Sequence, residues 1–128
     1  MADRSFLQWP FFNDTHRALA ERVDQWATAT LGDVDHSNLD QTCRTLVAAL
    51  GEAGWLQLTA VDPADEASRI DVRSLCILRE TLARHDGLAD FAFAMQGLGT
   101  GAISLFGSAA QKSEWLTLTR AGKALSAF

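Results

Sequence analysis

An all-α helical bundle is the fold class that this sequence predicts, and three observations point to it. The long segments repeat apolar residues every three or four positions, the period of a helix buried along one side. No two segments alternate apolar and polar residues as a pair of half-buried strands would. Residues 88–107, LADFAFAMQGLGTGAISLFG, carry Asp90 as their single charge. Phe91, Ala92, Phe93, Ala94 and Met95 follow one another there, so no solvated face can be drawn, and that helix is expected at the buried centre with amphipathic helices around it.

The 128 residues suit one helical domain, 1–128, and the apolar fraction of 48% is that of a globular chain. Sixteen acidic and eleven basic side chains leave a formal charge of −5, which disfavours nonspecific binding to nucleic acid or an anionic membrane. Cys43 and Cys76 lie in apolar helical patterns without a CxxC spacing and read as buried thiols, so the cytoplasm is the expected compartment. The N-terminus lacks a secretory signal pattern, and the most apolar stretch is too interrupted by Asp90, Gln96 and glycines for a membrane span.

Residues 1–12 read as an extended lead-in pinned by Pro10, Phe11 and Phe12. Asn13 or Asp14 caps a first helix to about Leu31, with Leu19, Val23, Trp26, Ala27 and Thr30 on one face. After a turn at 32–36, Ser37 and Asp40 form a weak capping pair for a second helix with Leu39, Cys43, Leu46, Val47 and Leu50 inward, closed by Gly51. Trp55 to Leu58 is a short apolar connection, and 61–69, VDPADEASR, a solvated loop whose Asp62, Asp65 and Glu66 lack the spacing of a calcium site. A third helix from Asp71 buries Leu75, Cys76, Leu78, Leu82 and Ala83. In the central segment, Gly97, Gly99 and Gly101 follow no strand, which argues against a dinucleotide loop; close helix packing or a bend explains them better. Ser108 with Gln111 opens a last helix through about Leu118 with Trp115 and Leu116 inward, and Gly122 interrupts the pattern before an apolar end at Leu125, Ala127 and Phe128.

Little in these residues builds a catalytic centre. His16, His36 and His85 are scattered and read as surface or capping groups, and no carboxylates pair with histidine at a metal-ligand spacing. No catalytic or metal-ligating residue is assigned. Asp90 is the exception to the apolar centre: an unpaired buried carboxylate costs several kcal/mol, so it is either exposed near the helix start, paired with Arg84 or His85, or facing a cleft. Gln96 either caps a bent helix or touches a ligand. The four tryptophans lie in separate elements and do not interleave with basic residues as a nucleic-acid stacking surface requires.

Residues 82–116, LARHDGLADFAFAMQGLGTGAISLFGSAAQKSEWL, resemble the N-terminal helical domain of the acyl-CoA dehydrogenase family. Family members carry a Leu-Ala-Arg-like helix end, a buried helix, and an apolar run ending in FGS with EQK-like residues ahead of an aromatic. Phe106, Gly107, Ser108, Gln111, Lys112 and Trp115 supply that last phrase. Residues 11–31 resemble the first helix, and LVAALGEAGWLQLTAVD, 46–62, the second helix with its apolar turn.

The resemblance implies an FAD enzyme in three parts: this helical domain, a small β domain, and a C-terminal four-helix bundle that carries a glutamate base. The base removes the α proton of an acyl thioester while hydride passes to the flavin. On that pattern the chain is expected to be the N-terminal part of a longer, oligomeric dehydrogenase, with the β and C-terminal domains in cis or on a separate subunit, and not to bind FAD alone. The partner ligand is acyl-CoA or an acyl-carrier thioester. Aligning the GLG phrase assigns Asp90, Phe91, Ala94 and Leu98 to the acyl pocket by resemblance, and the bulk of Phe91 implies a short, branched or otherwise unusual acyl group. The glycine-rich phrase that usually precedes the third helix is replaced at 65–69, which leaves open a carrier-protein thioester, a sterol-derived acyl-CoA, or a flavin monooxygenase on the same fold. The rival reading is a non-catalytic helical interaction module, and either reading expects an exposed apolar patch near Gly99 to Phe106 and Phe128.

Overall fold

The structure is a computed structural model that describes residues 3–127. Among these, every regular element is helical. A 3₁₀ turn at Ser5–Gln8 replaces the extended lead-in expected there. The main helices are α1 (Asp14–Thr30), α2 (Leu39–Glu52), α3 (Val72–His85) and α4 (Gly87–Phe106). After them come α5 (Ala109–Gln111), a π turn at Lys112–Leu116, and α6 (Thr117–Arg120). Helix α3 lies between α1 and α4, and α2 packs on α4. A second 3₁₀ turn, Trp55–Leu58, drops Trp55 and Leu56 into the core.

The starts of α1 to α5 are each fixed by a side chain that satisfies free backbone donors. Asn13 and His16 form a reciprocal capping box on α1, Asp71 caps α3, and Ser108 with Gln111 forms the box expected at α5. The cap of α2 is Asn38, whose Oδ1 accepts from the Gln41 amide at 3.2 Å. Ser37, expected in that role, turns instead to Asp35.

Burial follows helical period more strictly than the sequence reading assumed. On α3 the inward face is Ser74, Ile77, Leu78, Thr81 and Leu82. Cys76 and Ala83 therefore point outward and Leu75 is half-buried; Cys43 on α2 is also only half-buried, so neither of the two free thiols is fully buried as expected. Thr30 and Leu39 sit at helix ends beyond the packed turns and are exposed, as is Trp115. Leu116 of the π turn stays in the core, and Trp115, its neighbour in the winding, faces out.

The main correction concerns the central helix. The α4 face that packs on the bundle consists of Ala89, Ala92, Phe93, Gln96, Thr100 and Ser104. Its other side is apolar too, yet it is open: Phe91 is 54% exposed, Leu98 57% and Leu105 66%. The helix is one wall of the bundle with an uncovered apolar side. This matches the exposed patch expected along Gly99 to Phe106; Phe128 lies outside the described residues.

The segment after α6 returns onto α4 and α2. Gln96 is buried and neither caps a bend nor stands free. Its Nε2 donates to the carbonyls of Thr119 (3.3 Å) and Ala124 (3.0 Å), and its Oε1 accepts from the Ser126 amide. Gly99 lets Ser126 and Ala127 approach, the close packing expected of it, although the neighbour is this returning segment and not a helix. Helix α2 runs through Gly51, which meets Gly122 back to back: a Cβ on Gly51 would fall 2.5 Å from the Ala121 carbonyl oxygen, and Gly122 has a φ of +69°.

Two expectations for stability follow. Gly51→Ala and Gly122→Ala should each lower the unfolding free energy by about 1–3 kcal/mol through overpacking, with a left-handed backbone penalty added at 122. Gly101→Ala, where a Cβ meets nothing within 4 Å, should raise it by about 0.5–1 kcal/mol; urea unfolding of the three variants is the measurement.

The second concerns Asp71. Burial raises the pKa of its carboxyl, but hydrogen bonds from His16, Ser74 and Arg73 prevail and hold it well below the ordinary carboxylate range. His16 Nδ1 accepts from the Asn13 amide, so Nε2 carries the hydrogen that it donates to Asp71 at 2.7 Å. A depressed folded-state value stabilises the fold above the unfolded value near 3.9, and that stabilisation is lost as the pH falls below it. Asp71→Asn should thus destabilise at neutral pH and flatten the acid limb of a stability–pH curve, by on the order of 1 kcal/mol after allowing for solvent screening of a carboxylate that is more than one-third exposed.

Candidate functional site

The open side of α4 is where the sequence-assigned residues meet. Phe91, Ala94 and Leu98 stand at i, i+3 and i+7, so they share one helical face. Phe91 and Leu98 are exposed and Ala94 is half-buried. Leu105, a further seven positions on, continues the stripe. Asp90 is in the first turn of α4 at the stripe's edge, and its side chain is only 16% exposed.

Neither Arg84 nor His85 pairs with Asp90. Its partner is Arg79 of α3, whose Nε and Nη2 donate to Oδ1 and Oδ2, each at 2.9 Å. This two-pronged pair is the geometry in which a guanidinium binds a carboxylate best, and the bond from Asp90 raises the Arg79 pKa further. The sequence signal was weak: Arg79 and Asp90 are eleven residues apart on different helices, and only the α3–α4 corner brings them together. Arg84 goes instead to Glu80 at 2.8 Å and, more loosely, to Asp24.

The histidines all have structural partners. His16 is buried on Asp71, His36 reaches Asp86 at 2.8 Å, and His85 reaches Asp24 at 2.9 Å, not its sequence neighbour Asp86. The Asp24 carboxyl is held low by the His85 hydrogen bond, against burial and with help from Arg4 and Arg84. None of the three has a side-chain hydroxyl or thiol as its hydrogen-bond partner, and among the described residues no group of three or more His, Cys, Asp or Glu side chains is arranged to hold a metal.

At the C-terminal end of the stripe lies a cavity of about 820 Å³, between residues 61–72 and the end of α4. Loop 61–69 is largely exposed, as expected, but it is also ordered into a wall: Asp62 and Asp65 accept from the amides of Ala64 and Ala67, and Ser68 Oγ accepts from the Asp62 amide. Asp62 is further paired with Arg120 at 3.0 Å. Leu105 belongs to both stripe and cavity, whereas Asp90, Phe91, Ala94 and Leu98 do not line the cavity. Sequence reasoning missed this hollow because it depends on the path of an irregular loop. No helix among the described residues is long and apolar enough to cross a membrane.

A family model described as acyl-CoA dehydrogenase, N-terminal domain, matches residues 13–123, from the cap of α1 to just past Gly122. A search of curated proteins found no match. With the family model covering nearly the whole described structure, the chain belongs to the acyl-CoA dehydrogenase family, as its N-terminal helical domain.

Proposed function

We propose that the chain is the acyl-binding, N-terminal part of an FAD-dependent acyl-thioester dehydrogenase that forms an α,β double bond. The observation that carries this reading is the open stripe Phe91–Ala94–Leu98 on α4 in a domain of this family. A soluble domain leaves so continuous an apolar face uncovered where something apolar is to be received. An acyl chain along the stripe gains roughly 25 cal/mol for each Å² removed from water. Arg79 keeps Asp90 from meeting that chain as a lone anion.

The described residues do not fit FAD by themselves. The cavity sets Arg69 and Lys112 among Asp62, Asp65 and Glu66, which gives a pyrophosphate no surface of one sign. Bound flavin would supply the hydride acceptor; its contacts and the proton-removing base are assigned to β and C-terminal domains, in cis or on a second subunit. The protein is assigned to the cytoplasm and to an oligomer on the same reading. The open stripe also suits the second reading, a non-catalytic module that docks another chain, and activity separates the two.

The test is acyl-CoA-dependent reduction of an artificial acceptor by the whole flavoprotein. Phe91→Ala should move the preference toward longer straight acyl chains by about tenfold in kcat/KM, the worth of a few buried methylenes. Leu98→Asp should cost at least as much through KM. Absence of thioester turnover in the flavin-loaded protein would sink the enzymatic reading and favour the docking module.

A further inference from the structure

We propose that two copies of this chain pair through the open side of α4, antiparallel about a two-fold axis at the level of Gln96. The stripe carries a size pattern that a lone helix does not need. Gly87, Phe91, Ala94, Leu98, Gly101 and Leu105 follow one another at alternating steps of four and three residues, the spacing of a helix-pair seam, so large and small side chains take turns along one line. Phe91, Leu98 and Leu105 are the exposed large members.

The glycines supply an independent observation. Four lie within α4, and their own chain explains two of them: a Cβ on Gly97 would meet Thr59 at 3.7 Å, and one on Gly99 would strike Ser126 and Ala127 at 2.7 Å. A Cβ on Gly87 or Gly101 would meet nothing within 4 Å. Gly101 stands well inside the helix, where glycine is unfavourable, and nothing in this chain uses the space it leaves. A second helix lying close does use it.

An antiparallel copy fits both features. It sets Phe91 over the partner's Gly101, Leu98 over the partner's Ala94 and Leu105 over the partner's Gly87, and the two-fold axis repeats each contact. A parallel copy would set large on large and small on small and leave gaps. Charge makes the same choice. Asp90 is the one charged residue of α4, and antiparallel helices hold its two copies roughly 18 Å apart along the axis, whereas parallel helices place them side by side. Covering the stripe removes roughly 500 Å² from each copy, or on the order of 1,000 Å² in all, the lower edge of a specific interface. The dimer is therefore a reversible one. It goes beyond the acyl-binding reading and does not depend on it; a second copy and an acyl chain would compete for the same face.

Sedimentation equilibrium of the 128-residue chain without thioester, from about 1 µM to several hundred micromolar, should show a monomer–dimer equilibrium. Gly101→Phe fills the gap that receives Phe91, and Phe91→Ala removes the side chain that fills it; each should weaken the dimer at least about tenfold. Both positions face away from the bundle, so the variant monomers should keep the parent's helical circular dichroism. Combining Phe91→Ala with Gly101→Phe exchanges large for small across the same contact and should regain most of the affinity. A chain that stays monomeric throughout overturns the proposal, as does assembly beyond the dimer, since a two-fold pairing closes. A dimer that neither single substitution weakens has its contact elsewhere and overturns it too. A double variant no tighter than the single ones overturns the antiparallel register.

Discussion

Helix α4 carries large apolar side chains on opposite sides, and the rest of the chain covers one of them. Burying the Phe93 side secures the bundle, since α2 and α3 both pack there. Leaving the Phe91 side open keeps several large side chains in water, which helix packing alone does not require. The domain holds this arrangement because the covered side is locked in polar as well as apolar terms. Gln96 binds α6 and the returning segment through three backbone groups, and a buried amide that lost them would cost a few kcal/mol. The open face is therefore a stable property of the fold and not an accident of loose packing.

Much of the helical framework was legible because it is local. Asn13, Asp71 and the Ser108–Gln111 box announce helix starts by chemistry that acts within four residues, and the 3.6-residue period separates Val23 and Leu82 from their solvated neighbours. What failed was tertiary. The consecutive apolar run at 91–95 cannot say which of its sides will be covered, so the helix read as buried all round. Cys76 lay beside Ile77 in sequence but a hundred degrees from it on the helix. Trp115 likewise lay beside Leu116, and the buried position went to the leucine.

The candidate site divides in the same way. Phe91, Ala94 and Leu98 were assigned by resemblance, and helical spacing sets them on one face. The partner of Asp90 was not legible, because Arg79 reaches it across the α3–α4 corner, and the nearer Arg84 and His85 were the obvious choices.

Asp86 ends α3 and caps α4, so the two helices meet with a single residue between them. Its carboxylate accepts from the Ala89 amide and is held from outside by His36. A corner this short has almost no torsional freedom, and Arg79–Asp90 braces it one turn further along. The angle at which α4 presents its open side is thus fixed before anything binds. A molecule settling on that face has no hinge to order, and the entropy of arranging its receptor has already been spent in folding.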